Sequence, residues 1–135
     1  METVKPKQPI VNITKEEFER NERQRQDNVT ALVAHIQKAE SKIYFDKKLL
    51  EMKKSWDLDQ FKTIDPSTEY ENSKEWLEYS REVQIHVLNE TIIEEEAILV
   101  KDKEGLRLEE IKLKLIKEGI PAWNMSDKQV EEKQQ

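Results

Sequence analysis

Every seventh residue from Ile85 onward is a branched aliphatic: Ile85, Ile92, Leu99, Leu106, Leu113 and Ile120. Seven residues make nearly two turns of an α-helix, so these side chains stand almost above one another as one apolar ridge. A strand, with its period of two, has no use for that spacing, so the ridge commits residues 85–120 to a helix. A coiled-coil seam needs a second apolar position three or four residues after each ridge residue. Leu88 and Ile116 fill it, but Glu95, Asp102 and Glu109 do not. The expectation is a narrow apolar stripe on a charged cylinder, which cannot cover itself and must be laid on another molecule.

The rest of the chain fits long helices better than a globular core. Charged residues make up 39% and hydrophobic ones 36%, against about 25% and 45–50% in ordinary domains. Two glycines and four prolines are too few for the turns of a multi-strand sheet. The predicted fold is all-α: two long helices joined by a short hinge, extended or loosely hairpinned, with extended N- and C-terminal arms.

In chain order, 1–14 reads as an extended N-terminal arm containing Pro6 and Pro9. Thr14, with Glu17 three residues on, opens the first long helix, 15–56, through a capping box. Its early part is charged, and Arg20 and Arg23 either face water or grip an acidic groove. Val29, Leu32, Ile36, Ala39 and Ile43 then follow a 3-4-3-4 seam. The stripe jumps to Phe45, Leu49, Met52 and Trp56, which implies a stutter or a change of partner face.

The hinge, 57–67, begins with a capping pattern at Asp57–Gln60 that suits one short turn. Asp65-Pro66 is the preferred start of the second long helix, 68–118, with Asn72 and Glu75 as a later alternative. The aromatic head of that helix includes Trp76, which packs on a partner or back on the first helix. Continuity of the ridge across Gly105 favours one unbroken helix. Gly119 and Pro121 end it, leaving 119–135 as a C-terminal arm whose Trp123 and Met125 suit a partner's pocket.

Net charge is −6, unevenly distributed: residues 1–56 hold twelve Lys/Arg against nine Asp/Glu, and 57–135 hold eleven against twenty. The acidic half repels phosphate backbones, which argues against nucleic acid. There is no cysteine for a disulfide or a thiolate site. No apolar run approaches the ~20 residues that span a bilayer, and no signal-peptide pattern opens the sequence. No Gly-rich phosphate loop or nucleophile–base set occurs. His35 and His86 lack ligand spacing, and the consecutive residues Glu94, Glu95 and Glu96 point in different directions on a helix. The expectation is a soluble intracellular protein without enzymatic activity, cofactor, metal, membrane contact or small-molecule substrate.

The charged, apolar-striped helix around Ile92-Ile93-Glu94-Glu95-Glu96, with Leu115 four residues before Gly119-Ile120, resembles the small helical proteins inside ciliary doublet microtubules. The likeness covers residues 81–120, and Val100 stands where that family carries an aromatic. It implies a structural, microtubule-inner protein of the axoneme that binds tubulin and neighbouring axonemal proteins. The residues read as partner-binding are the ridge (Ile85, Ile92, Leu99, Leu106, Leu113, Ile120) together with Trp76, Trp123, Arg20 and Arg23. The alternative is a self-associating coiled-coil or helical-hairpin adaptor of another large intracellular complex.

Overall fold

The computed structural model describes residues 13–62 and 73–134. They form α1 (Lys15–Ser55), a 3-10 turn (Leu58–Phe61), α2 (Lys74–Lys117), a second 3-10 turn (Ala122–Asn124) and α3 (Asp127–Lys133). The fold is all-α, with two long helices, as the periodicity requires. The N-terminal arm and the Asp65-Pro66 boundary lie largely outside the described residues.

Each helix end has a local cause. The Glu17 N–H donates to Thr14 Oγ1 at 3.1 Å, so Thr14 takes one of the orphan donors of α1. Glu16 and Glu17 in the first turn and Lys53 and Lys54 in the last oppose the helix dipole. At the start of α2 the cap is Ser73, whose hydroxyl accepts from the Trp76 N–H at 3.3 Å, so this helix begins at Lys74. It runs through Gly105 without a break. At its end Gly119 adopts φ 87, a left-handed conformation that an L side chain resists. The Ile120 N–H reaches Leu115 O at 2.9 Å and the Gly119 N–H reaches Ile116 O at 3.0 Å. That pair of bonds is a Schellman motif.

The chain divides into two compact units. The terminal unit joins Met1–Val33 with Glu104–Gln135, and the middle unit is Ala34–Lys103. In the terminal unit Leu115, Ile116, Ala122 and Val130 are buried together. Phe18 of α1, Leu108, Ile111 and Ile120 pack around them, with Trp123 and Met125. Trp123 meets the Phe18 ring edge-on, centroids 4.9 Å apart.

The C-terminal segment is therefore not an extended arm. Ser126 caps α3 by accepting from the Gln129 N–H at 3.2 Å, and the Gln129 side chain returns a bond to the Ser126 N–H. Pro121 and Gly119 turn the chain sharply, and α3 delivers Val130 to full burial, 0% exposed. Trp123 and Met125 fill a groove of their own chain, not a partner's. The physical reason is area: Ile120, Ala122, Trp123, Met125 and Val130 of this segment all pack in the cluster around Leu115 and Ile116.

In the middle unit the last part of α1 and the first part of α2 run antiparallel. His35 lies 3.0 Å from Asp102, Lys42 2.7 Å from Glu95, and Lys53 2.8 Å from Gln84. As the α1 number rises the α2 number falls. Ile36, Ile43 and Leu50 are buried here, as are Leu77 and Ile92 of α2. Trp56 and Phe61, on the 3-10 turn, meet at 5.2 Å and close one end of the unit.

Two expectations are corrected. The ridge of α2 is not left bare for another molecule to cover, because the fold itself covers much of it: Ile92 and Leu113 are buried and Ile85, Leu99, Leu106 and Ile120 are half-buried. The α1 stripe does not stutter either. Its buried line continues in steps of seven through Val29, Ile36, Ile43 and Leu50, while Phe45, Leu49 and Met52 form a separate, exposed line.

Candidate docking surface

The acidic interruptions of the α2 ridge are inter-helix contacts. Glu109 accepts from Arg25 Nη1 at 2.9 and 2.8 Å, one bond to each oxygen, and from Asn28 Nδ2 at 2.9 Å. Asp102 faces His35 and Glu95 faces Lys42. The α1 partners Asn28, His35 and Lys42 are seven residues apart, and so are Glu109, Asp102 and Glu95. Each carboxylate is 16–24% exposed at its side chain. Half-buried charges that must find a particular partner specify which residues of two helices lie opposite each other, as a polar seam residue does in coiled coils.

Lys42 bridges two carboxylates. Its ammonium donates to Asp46 at 2.8 Å as well as to Glu95. The hydrogen bond to Asp46, and then that to Glu95, hold the lysine above its ordinary pKa of 10.5. The same bond from Lys42 holds the Asp46 carboxyl below its ordinary 3.8. The second Glu95 oxygen, Oε1, is buried with no protein partner. Lys47–Glu96 at 2.8 Å and Glu40–Lys103 at 3.1 Å pair across the other flank of the unit. Glu95 and Glu96 are thus both engaged by lysines of α1.

The large apolar side chains left exposed are confined to one unit. Every large apolar side chain exposed among the described residues belongs to Ala34–Lys103. On α1 these are Tyr44, Phe45, Leu49 and Met52; on α2 they are Tyr79, Val83, Val87, Ile93, Ile98 and Val100. Phe45 is 66% and Val100 69% exposed. The contrast has a structural cause. In the terminal unit the outer line Leu108, Ile111 and Leu115 of α2 packs into the cluster that the C-terminal segment completes. Val83 and Val87 stand in the same helical phase, four heptads before Ile111 and Leu115, and the short 3-10 turn of the middle unit leaves them exposed.

Beside this surface a notch of about 240 Å³ is lined by His35, Lys38, Ala39, Lys42, Glu95 and Ile98. A shallower cleft of about 610 Å³ runs along Leu58, Glu78, Arg81, Glu82, Ile85, His86 and Asn89.

Of the partner-binding residues expected from sequence, Arg20 and Arg23 are exposed. Trp76 is half-buried and lies 5.5 Å from the Tyr79 ring. Trp123 and the six ridge residues are taken up within the fold. Of the exposed set on α2, Tyr79 and Val83 belong to the aromatic head read from sequence, and Val87, Ile93, Ile98 and Val100, which share no single heptad line, are what sequence reasoning missed. The signal available was the displaced stripe Phe45, Leu49, Met52. No helix among the described residues is long and apolar enough to cross a membrane. No protein-family model, no curated protein and no solved structure matches the chain.

Proposed function

We propose that the protein is a non-enzymatic structural component that arrives pre-folded and is built into a large assembly through its middle unit. One observation carries this reading: among the described residues all the exposed large apolar side chains lie in Ala34–Lys103, while the terminal unit packs its own around Leu115, Ile116, Ala122 and Val130. Monomeric soluble proteins rarely expose contiguous apolar patches beyond a few hundred Å², and larger ones mark interaction sites. The resemblance over residues 81–120 makes the lumen of an axonemal doublet microtubule the assembly to test first, with tubulin and neighbouring inner proteins as partners.

The test is extraction of isolated axonemes carrying a tagged copy. The microtubule reading expects the protein to stay with the doublets through high salt, because apolar contacts are not screened. Phe45→Ser, Leu49→Ser and Met52→Ser together release it without unfolding it. A tagged chain found wholly in the soluble fraction overturns this reading. A second reading, a helical-hairpin adaptor subunit of a different intracellular complex, is favoured by the antiparallel pairing of α1 and α2. Localising the same tagged copy away from cilia supports the adaptor.

A further inference from the structure

Two outer faces of the middle unit are complementary to each other. On α1, Phe45, Leu49 and Met52 lie at i, i+4 and i+7 and are exposed. Lys48 is three residues after Phe45 and four before Met52, and Lys38 is one heptad before Phe45. Neither lysine has an ion-pair partner among the described residues; Lys48 lies 5.5 Å from the Tyr44 ring. On α2, Tyr79, Val83 and Val87 lie at i, i+4 and i+8 and are exposed too. Around them stand Glu75, four residues before Tyr79, Glu82, three after it, and Glu90, three after Val87. All three carboxylates are exposed. One face is an apolar stripe edged by lysine, the other an apolar stripe of like spacing edged by glutamate.

We propose that the middle unit binds a second copy of this chain, the α1 stripe of one copy against the α2 stripe of the next. The inference rests on the docking reading above and names the occupant of that surface. Charge complementarity selects the occupant: a face edged by lysine is matched by a face edged by glutamate, and the same molecule carries both. Because unlike faces meet, the contact is heterologous, and each added copy presents a fresh face at either end. Such a contact suits a component that repeats along an assembly. The terminal unit, with no exposed large apolar side chain among its described residues, takes no part in it.

Two single variants test this, with circular dichroism to show that each keeps its helix content. Phe45→Glu blocks the α1 face and Val83→Lys blocks the α2 face; both positions are solvent-exposed, so folding is preserved. Light scattering across a concentration series is expected to give wild-type masses rising beyond twice the monomer's 16.1 kDa, and falling as salt screens the rim. Each variant alone stays monomeric. Mixed in equal amounts, the two variants retain one intact face each and form a 1:1 dimer that grows no further. A wild-type chain that is monomeric at every concentration overturns the proposal, as do variants that assemble like wild type. So does a mixture that remains monomeric. If the wild type is monomeric yet the triple-serine variant is released from axonemes, self-association fails and the docking reading stands. If the chain self-associates and that variant is retained, the docking reading fails alone.

Discussion

Glu109 is the acid whose removal should be felt most. Its carboxylate accepts two bonds from Arg25 and one from Asn28, and the two charged side chains are 19% and 16% exposed. Removing one partner of a fully buried pair costs about 3–5 kcal/mol, because the other charge is left without compensation. Roughly a fifth of each group still reaches water, so the stranded Arg25 is partly rehydrated. The expected cost of Glu109→Ala is therefore about 2 kcal/mol, lower than the buried limit and above the ~0–1 kcal/mol of surface pairs. For a chain of this size that corresponds to a melting temperature lower by about 6–10 °C. The internal control is Glu131→Ala, which breaks the pair with Arg107 where both side chains are 44% exposed. It should cost far less than Glu109→Ala, because water screens an exposed pair. Urea unfolding followed by circular dichroism measures both. In a double-mutant cycle, Arg25→Ala with Glu109→Ala should fall short of additivity by at least ~0.5 kcal/mol. A Glu109→Ala chain within ~0.5 kcal/mol of wild type would refute the claim that these acids hold the helices together.

The two glycines should respond in opposite directions. Gly105 is helical with open space where a Cβ would sit, so Gly105→Ala should stabilise by about 0.5–1 kcal/mol in urea titration. Gly119 holds φ 87, and Gly119→Ala should destabilise by roughly 1–2 kcal/mol in the same assay. Val130→Asp places a carboxylate in the fully buried site beneath α3 and should cost at least ~2 kcal/mol, with Trp123 fluorescence moving to longer wavelength as its packing loosens. For the Lys42 cluster the sign follows from both partners. The lowered Asp46 contributes above its ordinary 3.8 and loses that contribution as pH falls through its folded value; the raised Lys42 contributes below 10.5 and loses it only above. The stability gap between wild type and Lys42→Met should thus be flat between those two values and close in acid. A gap that varies through neutral pH contradicts this.

Local chemistry made the helices and their ends readable. Thr14, the Asp57–Gln60 turn and the stop at Gly119 each depend on residues within five positions, and continuity across Gly105 follows from the register of one helix's own ridge, so a sequence displays them directly. The pairing was harder to see. Glu95, Asp102 and Glu109 look like faults in a ridge because Lys42, His35 and Arg25, the groups that receive them, are 53 or more residues away. The α1 seam and the α2 ridge were both visible, yet nothing local says that they meet in one chain. Ser126 with Gln129 three residues on marks the start of the C-terminal turn of helix, but its burial was hidden for another reason. Val130 is its one buried side chain, and a single apolar residue has no period.

The central claim is that the α2 ridge is covered by α1 of the same chain, which leaves the middle unit's outer faces as the surface for partners. Zero-length carbodiimide coupling tests it most directly, since Lys42–Glu95, Lys47–Glu96 and Lys103–Glu40 lie within 3.1 Å. Peptide mapping of the monomer fraction should recover those three lysine–carboxylate links inside one chain. Their absence from the monomer fraction, or their appearance only in cross-linked dimers, would contradict it.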